Sequence, residues 1–401
     1  MIAPLKIKKI MKKINLPILK YGLIYFMSML ILLFISFPIL SKAQSTSTTN
    51  THSIIVSFYN FENFYDTTNQ LNVADEEFLP NSAKGYNSVL YNNKTAHLAS
   101  VIYGIGKTNN AKGISLLGIA EVENKTVLKK LADDPMIKKY NYQFLHFDSK
   151  DSRGIDVALM YQPAYFKPYQ YRIYSLTDAT HFTTYATRDI LYVQGELDKT
   201  WVHILVNHWP SRRGGENASA EKRIWAARVC KRIMDSIEDR DPKAKFIVMG
   251  DFNDNPNNKS LKHLKMYNPF LQLFNRGMGS MAYRDSWSLF DQILLNGNWT
   301  MEQEKPGRQS KNALATPLAQ TTVVNINCHN PTNTPPGSNS NFDLIYCKSI
   351  IYRSSALTEP EGKYQGYPKR TWNGDEFNGG YSDHYPAVII FKAKNDEKPL
   401  K

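Results

Sequence analysis

Short apolar runs separated by polar turns recur along the chain and predict a protein built mainly from buried strands. The runs cover residues 54–59, 114–119, 156–161, 192–197, 201–206, 246–249, 290–295 and 387–391. Apolar residues at helical spacing predict helices over residues 98–105, 127–131 and 224–237, and Asn124 is a good N-cap for the second helix. The strands outnumber the helices, and the helices are spread along the chain. This distribution favours an α/β sandwich in one domain.

One apolar run, residues 246–249, leads into a turn of unusual composition. Asp251 and Asn253 follow Gly250, and Pro256 ends the turn. Side chains two residues apart in an extended segment lie on the same side, so a carboxylate and an amide would point at one place. Asp and Asn are also common turn residues, so this segment alone does not separate an active site from an ordinary turn.

Other strand ends carry the same kinds of side chain. Polar residues at these ends are Asn60, Glu62, Glu121, His208, Asp291, Asp383 and His384. For any one of them, capping or solvation of a loop is the more common explanation. Their recurrence at so many ends favours an active site, because such sites form where strand ends of a layered fold converge.

The residue types in this set point to metal-assisted hydrolysis of a phosphate ester. Glu121 and Asp383 offer hard oxygen ligands, which suit Mg²⁺ or Mn²⁺ bridging to phosphate oxygens. His208 and His384 can exchange protons near neutral pH. The chain has neither the Gly-x-Ser-x-Gly elbow of serine hydrolases nor the His-Glu-x-x-His motif of zinc proteases.

The N-terminus has a composition of its own. Residues 1–43 hold seven lysines and no acidic residue, and residues 21–40 are almost wholly apolar. Ser41-Lys42-Ala43 resembles a cleavage site, so residues 1–43 are predicted to be a signal peptide; an uncleaved signal anchor is the alternative. A cleaved signal peptide predicts export to the periplasm, the outer surface or the medium. An uncleaved anchor predicts an exported domain that is anchored in the inner membrane. Residues 44–51 read as a Ser/Thr linker, and residues 52–396 as the folded domain.

The remaining charge and the cysteines add little. The chain has a net charge of +13, and without the first 43 residues 42 basic residues face 36 acidic ones. This mild basicity permits phosphate binding without demonstrating it. Cys328 and Cys347 could form a disulfide in an exported protein, whereas Cys230 is expected as a buried thiol on a helix.

Seven motifs in order carry a resemblance to a known family. They are Tyr59-Asn60-Phe61-Glu62-Asn63, Glu121-Val122-Glu123-Asn124, Arg153-Gly154-Ile155-Asp156, Asn207-His208-Trp209-Pro210-Ser211, Gly250-Asp251-Phe252-Asn253-Asp254, Asp291-Gln292-Ile293 and Ser382-Asp383-His384-Tyr385-Pro386. From about residue 53 to residue 393 the chain resembles the endonuclease/exonuclease/phosphatase superfamily, in particular its secreted bacterial branch. The superfamily includes pancreatic deoxyribonuclease, exonuclease III, neutral sphingomyelinases and inositol polyphosphate 5-phosphatases. Only residues 305–342 depart visibly, and they read as an inserted surface loop.

The resemblance implies a four-layer α/β/β/α sandwich, with two β-sheets face to face and helices outside. It also implies roles for individual residues. Metal binding is implied for Glu121 and Asp383, with Asn60 and Glu62 holding the site. His384, oriented by Asp291, would act as general base or stabilise the transition state. Asp251 and Asn253 would position and activate the attacking water. His208, oriented by Asp156, would act at the leaving group. Arg153 and Arg212 are candidate phosphate contacts, and solvated surface arginines are the alternative.

The function implied is that of a secreted nuclease or general phosphodiesterase that depends on Mg²⁺, with Mn²⁺ or Ca²⁺ as other candidate ions. DNA or RNA is the expected substrate class, although the chain has no basic, aromatic-rich arm. A phospholipid or inositol-phosphate hydrolase is the alternative within the same chemistry. A catalytically inactive binding module on the same fold is the alternative outside it. A monomer is expected, with membrane contact only through an uncleaved N-terminal segment.

Overall fold

The computed structural model describes residues 51–109, 112–176, 187–301 and 344–394. The predicted leader, almost all of the linker, the predicted insertion at 305–342 and Cys328 lie outside these ranges, so the predictions about them stay predictions. Within the described ranges, no helix is both long enough and apolar enough to cross a membrane.

Sixteen strands and five α-helices make up the described part of the chain. The strands are β1 (Thr51–Phe64), β2 (Leu116–Val122), β3 (Gln143–His146), β4 (Asp156–Tyr161), β5 (Phe166–Tyr174), β6 (Ile190–Leu197), β7 (Thr200–His208), β8 (Phe246–Asp251), β9 (Met281–Tyr283), β10 (Ser286–Ser288), β11 (Asp291–Leu295), β12 (Thr300–Met301), β13 (Ile345–Ile351), β14 (Trp372–Asn373), β15 (Glu376–Phe377) and β16 (Ala387–Lys394). The helices are α1 (Ser88–Thr108), α2 (Lys125–Ala132), α3 (Glu216–Glu238), α4 (Lys259–His263) and α5 (Phe270–Asn275). Short 3₁₀ turns occur at Glu76–Phe78 and Lys138–Tyr140.

The strands form two large mixed sheets. The larger sheet has the order β12-β13-β16-β1-β2-β4-β3, with β1 parallel to β2 and antiparallel to β16. The smaller sheet has the order β11-β8-β7-β6-β5, with β7 parallel to β8. Two small hairpins, β9-β10 and β14-β15, lie outside these sheets. Polar motifs follow the central strands β1, β2, β7 and β8, and others lie at the starts of β4, β11 and β16.

Alternation along the strands of the smaller sheet divides the interior into two cores. Ile204 and Met249 belong to the core that includes both faces of the larger sheet. Their neighbours Leu205 and Val248 point the other way, into a second core with Cys230 of α3. The smaller sheet is therefore covered by the larger sheet on one face and by a helix on the other.

The outer face of the larger sheet is covered by helices as well. Leu98, Val101 and Ile102 of α1 and Val127 of α2 are buried in the same core as β1 and β2. Asn124 accepts hydrogen bonds from the first turn of α2 and so caps it as predicted. The predicted arrangement of two face-to-face sheets between helices is confirmed.

The sequence pattern located the central elements better than the edges. Six of the eight apolar runs lie within strands, and the runs 114–119 and 290–295 begin two residues and one residue before β2 and β11. Asp156–Tyr161 has the predicted bounds. The edge strand β5 was missed because most of its side chains are exposed, so it lacks a clear apolar signal. The predicted buried thiol of Cys230 is confirmed, since it is fully buried on α3.

Candidate active site

Irregularities in two neighbouring strands aim the first acidic residues of the site. The pairing of β1 with β2 shifts register between Asn60 and Phe64, and that of β2 with β4 shifts at Glu121. Glu62 and Glu121 have φ angles of 48° and 60°, in the left-handed region that non-glycine residues rarely adopt. Strained backbone of this kind is concentrated at functional sites, and bulges turn side chains out of the sheet pattern. The Asn63 N–H donates to Glu121 Oε2 at 3.0 Å, which ties the two irregularities together.

A row of three side chains crosses the end of the smaller sheet. His208 of β7 pairs in register with Asp251 of β8, and Asp251 pairs with Asp291 of β11. Residues paired in this way present their side chains on the same face. Asn60 of the larger sheet donates through Nδ2 to Asp251 Oδ2 at 3.1 Å. The site thus lies at a common edge of the two sheets.

His384 is held as a charged imidazolium. Its Nδ1 donates to Asp291 Oδ2 at 2.6 Å, and its backbone N–H donates to Ser382 Oγ at 3.0 Å. Burial lowers the pKa of His384, but the charge of Asp291 and the hydrogen bond to it outweigh burial and raise the pKa well above its usual value. The free Nε2 lies 3.9 Å from Asp383 Oδ1.

His208 has the opposite surroundings. Burial, followed by the positive charges of Arg188, Arg153 and His384, lowers the pKa of His208 well below its usual value. Its Nε2 lies 3.7 Å from Asp251 Oδ2 and 3.9 Å from Glu121 Oε1, too far for a hydrogen bond to either carboxylate. His208 is therefore a neutral imidazole that faces two acidic groups.

Asp251 and Asn253 form a rigid corner after β8. The Asn253 N–H donates to Asp251 Oδ1 at 2.9 Å, and Asn253 Nδ2 donates to the Trp209 carbonyl at 3.0 Å. Asn253 has a φ of 51°, again in the left-handed region. Burial, partly offset by the charge of His384, raises the pKa of Asp251 to about 6. The Asp251 carboxylate can therefore take up a proton close to neutral pH.

Glu121 and Asp383 each offer a carboxylate oxygen that the described part of the protein does not engage. Both side chains are partly exposed, and each has one oxygen engaged, Glu121 by Asn63 and Asp383 by Arg370. The other oxygen of each makes no hydrogen bond within the described ranges, which leaves a hard ligand for Mg²⁺ or Mn²⁺. Ligand atoms of Asp251, Asp291 and His384 also lie within 4.8 Å of one another, but the Asp291–His384 hydrogen bond already occupies that group.

Glu62 and Asn60 support the site through contacts within the protein. Glu62 accepts hydrogen bonds from Arg370 Nε at 3.3 Å and from the Thr371 N–H at 2.6 Å. Lys94 is fully buried and donates to Thr371 Oγ1, where it also interacts with the charges of Glu62, Asp383 and Glu121. Burial, and then the charge of Asp383, raises the pKa of Glu62 to about 7. Both carboxylate oxygens of Glu62 therefore anchor residues 370 and 371, and Asn60 orients Asp251.

Asp156 does not orient His208, so that prediction is corrected. Its Oδ1 accepts a hydrogen bond from the Ser149 N–H at 2.8 Å, and its Oδ2 lies 3.1 Å from His146 Nε2. The strand β4 begins at Asp156, and the chain before it turns the carboxylate towards β3. The described residues give His208 no carboxylate partner at hydrogen-bond distance.

The two candidate phosphate contacts differ. Arg212 donates to the Asn253 carbonyl at 2.9 Å, to Glu216 at 2.7 Å and to Asp254 at 3.1 Å, so its guanidinium is committed to the protein and the expectation is corrected. The Arg153 side chain is about half exposed and interacts with the charge of Glu121; among the described residues its guanidinium makes one hydrogen bond, a long one to Asp151. Arg153 therefore remains available to a phosphate.

Four buried or half-buried cations around the site were not predicted. They are Lys94, Arg188, Arg223 and Arg370. Arg188 donates to Asp151 and to the Trp209 carbonyl, and the fully buried Arg223 donates to the Pro210 carbonyl and pairs with Asp254. Nothing in the sequence distinguishes these residues from ordinary surface cations, because their burial depends on partners far away in the chain.

Comparison with known proteins relates this chain to a protein family. The model of the Endonuclease/Exonuclease/phosphatase family matches residues 55–314 and 335–393. No curated protein matches the chain.

Similar solved structures include an endonuclease/exonuclease/phosphatase family protein from Bacteroides thetaiotaomicron, at 13% identity and a TM-score of 0.47 over 85% of this chain and 98% of that one. A mannosyl-6-phosphatase from the same organism shares 13% identity, with a TM-score of 0.46 over 84% and 98% of the two chains. The human nocturnin catalytic domain shares 14% identity, with a TM-score of 0.45 over 85% and 95%.

The family model covers all seven motifs, from Tyr59 to Pro386, and so spans the site described above. Its two segments are separated at residues 315–334, within the predicted insertion. The chain therefore belongs to the endonuclease/exonuclease/phosphatase family and has its hydrolase fold.

Proposed function

We propose that this protein is a divalent-metal-dependent hydrolase of phosphate esters that acts as an exported endonuclease or phosphodiesterase. The observation that carries the proposal is the pair of histidines at one sheet edge, one charged and one neutral, beside the partly exposed carboxylates Glu121 and Asp383. A binding module has no need of two histidines with opposite protonation states.

The residues take distinct roles in this proposal. Asp251 accepts the proton of the attacking water, which Asn253 positions, because the Asp251 carboxylate titrates near neutral pH. The His384 imidazolium, held by Asp291, stabilises the negative charge that develops on the phosphoryl oxygens. His208 lies close to both Asp251 and Glu121 and contacts the leaving-group side as a neutral imidazole.

Glu121 and Asp383 would hold the metal ion. A bound divalent ion supplies Lewis-acid polarisation of the phosphate and charge neutralisation. Arg153, at the edge of the site, adds a charge-assisted hydrogen bond to a phosphate oxygen. Export is supported by the lysine-rich, apolar N-terminal segment, and phosphate binding by the mild positive charge of the remaining chain.

A panel of substrates tests the proposal. The purified protein is incubated in Mg²⁺ or Mn²⁺ with plasmid DNA, RNA, a small phosphodiester, an inositol phosphate and sphingomyelin vesicles, with and without a chelator. We expect chelator-sensitive cleavage of the nucleic acids and the small diester, and its loss in Glu121→Gln. Turnover confined to sphingomyelin or the inositol phosphate would keep the chemistry and contradict the nuclease assignment. No turnover of any substrate would contradict the proposal as a whole.

A further inference from the structure

A second group of metal-ligating side chains lies at the base of the loop between β3 and β4. It comprises His146 at the end of β3, Asp148 in the loop and Asp156 at the start of β4. One ligand atom from each of the three residues lies within 4.8 Å of the others. The His146 side chain is fully buried and that of Asp156 nearly so, whereas the Asp148 side chain is 76% exposed.

His146 lacks hydrogen bonds that a buried histidine should make. Neither of its ring nitrogens has a hydrogen-bond partner within the described ranges, although the side chain is fully buried. Nε2 lies 3.1 Å from Asp156 Oδ2, but the oxygen lies off the direction in which the nitrogen would donate. Leaving a buried polar group unpaired in this way costs about 1–3 kcal/mol. The observation therefore calls for a ligand.

The distance of 3.1 Å between His146 Nε2 and Asp156 Oδ2 matches that between two ligands of one cation. Zinc lies about 2.0–2.2 Å from histidine nitrogen and carboxylate oxygen, so two neighbouring ligands of one ion are about 3–3.5 Å apart. An oxygen in that position lies well off the axis of the nitrogen lone pair, as observed here. Asp148 Oδ1 lies 3.8 Å from the other ring nitrogen, His146 Nδ1, so its exposed carboxylate has to turn to reach an ion at Nε2 as a third ligand.

The surroundings also have an excess of negative charge. Asp189 lies on the other side of a small cavity that Ser149 and Asp156 line and that is large enough for about one water-sized occupant. Asp189 Oδ1 has no hydrogen-bond partner among the described residues. A cation between His146 Nε2 and Asp156 would give that buried nitrogen a partner and would balance part of this negative charge.

We propose that His146, Asp156 and Asp148 form a structural site for a first-row transition-metal ion such as Zn²⁺, distinct from the catalytic metal. Imidazole with carboxylates favours such an ion over Mg²⁺ or Ca²⁺. The site closes the base of the loop that carries Asp151 and Arg153. Asp151 pairs with Arg188, which holds the carbonyl of Trp209 next to His208. The ion would therefore stabilise the loop that brings Arg153 to the catalytic edge.

Metal titration of the full chain tests this proposal. Glu121→Gln serves as the background, because it removes a ligand of the predicted catalytic ion. We expect calorimetry to show that this variant binds one equivalent of Zn²⁺. When Co²⁺ replaces Zn²⁺, we expect a visible absorption spectrum typical of Co²⁺ with a nitrogen ligand. Adding Asp148→Asn should weaken Zn²⁺ at least tenfold; because Asp148 is exposed, this variant should fold normally, and circular dichroism checks it.

Two further variants complete the test. His146→Asn in the same background should abolish the Co²⁺ absorption, whereas His263→Asn, at an exposed helix end, should leave binding unchanged. Absence of Zn²⁺ binding in Glu121→Gln would overturn the proposal, as would equal binding after Asp148→Asn in a folded protein. Loss of Zn²⁺ binding in His263→Asn would place the ion at the protein surface and would also overturn the proposal.

Discussion

The two histidines of the site differ in charge because their neighbours differ. His384 contacts the fully buried carboxylate of Asp291 directly, whereas His208 lies near the positive charges of Arg188 and Arg153 and touches no carboxylate at hydrogen-bond distance. The sequence predicted both histidines and Asp291 as site residues. It could not predict their protonation, because this depends on how deeply each ring is buried and on which charges the fold brings next to it.

His384→Asn should remove most activity with limited loss of stability. The Asn amide can still donate to Asp291, so the buried carboxylate keeps a partner, but the group facing the phosphate is lost. General acid–base and charge-stabilising groups of this kind contribute on the order of 10²–10⁴-fold. The measurement is turnover of a small phosphodiester, with thermal melting as the control. Turnover close to that of the unchanged protein would contradict the role assigned to His384.

Glu123 should make stability depend on pH. Burial, opposed by the hydrogen bond from the Asp66 N–H, raises the pKa of Glu123 to about 8. As pH rises from about 4.5 to about 8, Glu123 loses its proton in the unfolded chain but keeps it in the folded protein. Ionisation therefore favours the unfolded chain, and the free energy of unfolding falls over this pH range. Glu123→Gln should match the unchanged protein at pH 5 and be more stable at pH 8, by on the order of 1–3 kcal/mol.

Denaturant unfolding at pH 5, 6.5 and 8, in the presence of a chelator, measures this difference. Glu76→Gln is the control, because Glu76 is exposed and its substitution should not change the slope. A stability difference between Glu123→Gln and the unchanged protein that is the same at all three pH values would contradict the assignment.

At the scale of elements, the site depends on strand ends and on the loops that follow them. The order of apolar runs and polar ends predicted β1, β2, β7, β8 and β16 and the residues after them. The bulges at Glu62 and Glu121 were not predictable, because no glycine marks either left-handed position. The connections of the loops to α3 were missed because Arg212 was assigned to the substrate phosphate and nothing in the sequence marks Arg223 as buried.

Arg212→Met should separate loop positioning from phosphate binding. Arg212 donates to the Asn253 carbonyl and to Asp254, so its loss should loosen the corner that positions water and lower kcat about tenfold or more, with KM nearly unchanged. Its neighbour Arg213 is exposed, and Arg213→Met is the matched control. A rise in KM with unchanged kcat would instead assign Arg212 to the substrate.

At the scale of the molecule, the catalytic edge exists because the two sheets are pressed together. Asn60 of one sheet reaches Asp251 of the other at 3.1 Å. Close contact continues inside the sandwich, where a Cβ added to Gly118 of β2 would collide with Met249 Sδ of β8. The sequence predicted the strands and, through the family resemblance, the sandwich, but the pairing of particular residues across it depends on packing that no local pattern encodes.

Gly118→Ala should therefore destabilise the fold. The added methyl group would push against Met249, and overpacking of this kind costs about 1–3 kcal/mol. Gly297→Ala is the control, because nothing lies within 4 Å of a Cβ there. Denaturant unfolding should show the loss in Gly118→Ala, and Gly118→Ala should cost less in a Met249→Ala background than in the unchanged protein. Equal stability of the two glycine variants would contradict the close contact of the sheets.

The most direct test of the central claim is nicking of supercoiled plasmid by the purified protein in Mg²⁺ or Mn²⁺. The protein is compared with His384→Asn and with Glu121→Gln, each with and without a chelator. The account predicts nicking by the unchanged protein that the chelator abolishes and that both variants lack. Nicking that survives the chelator or the loss of His384 would contradict it.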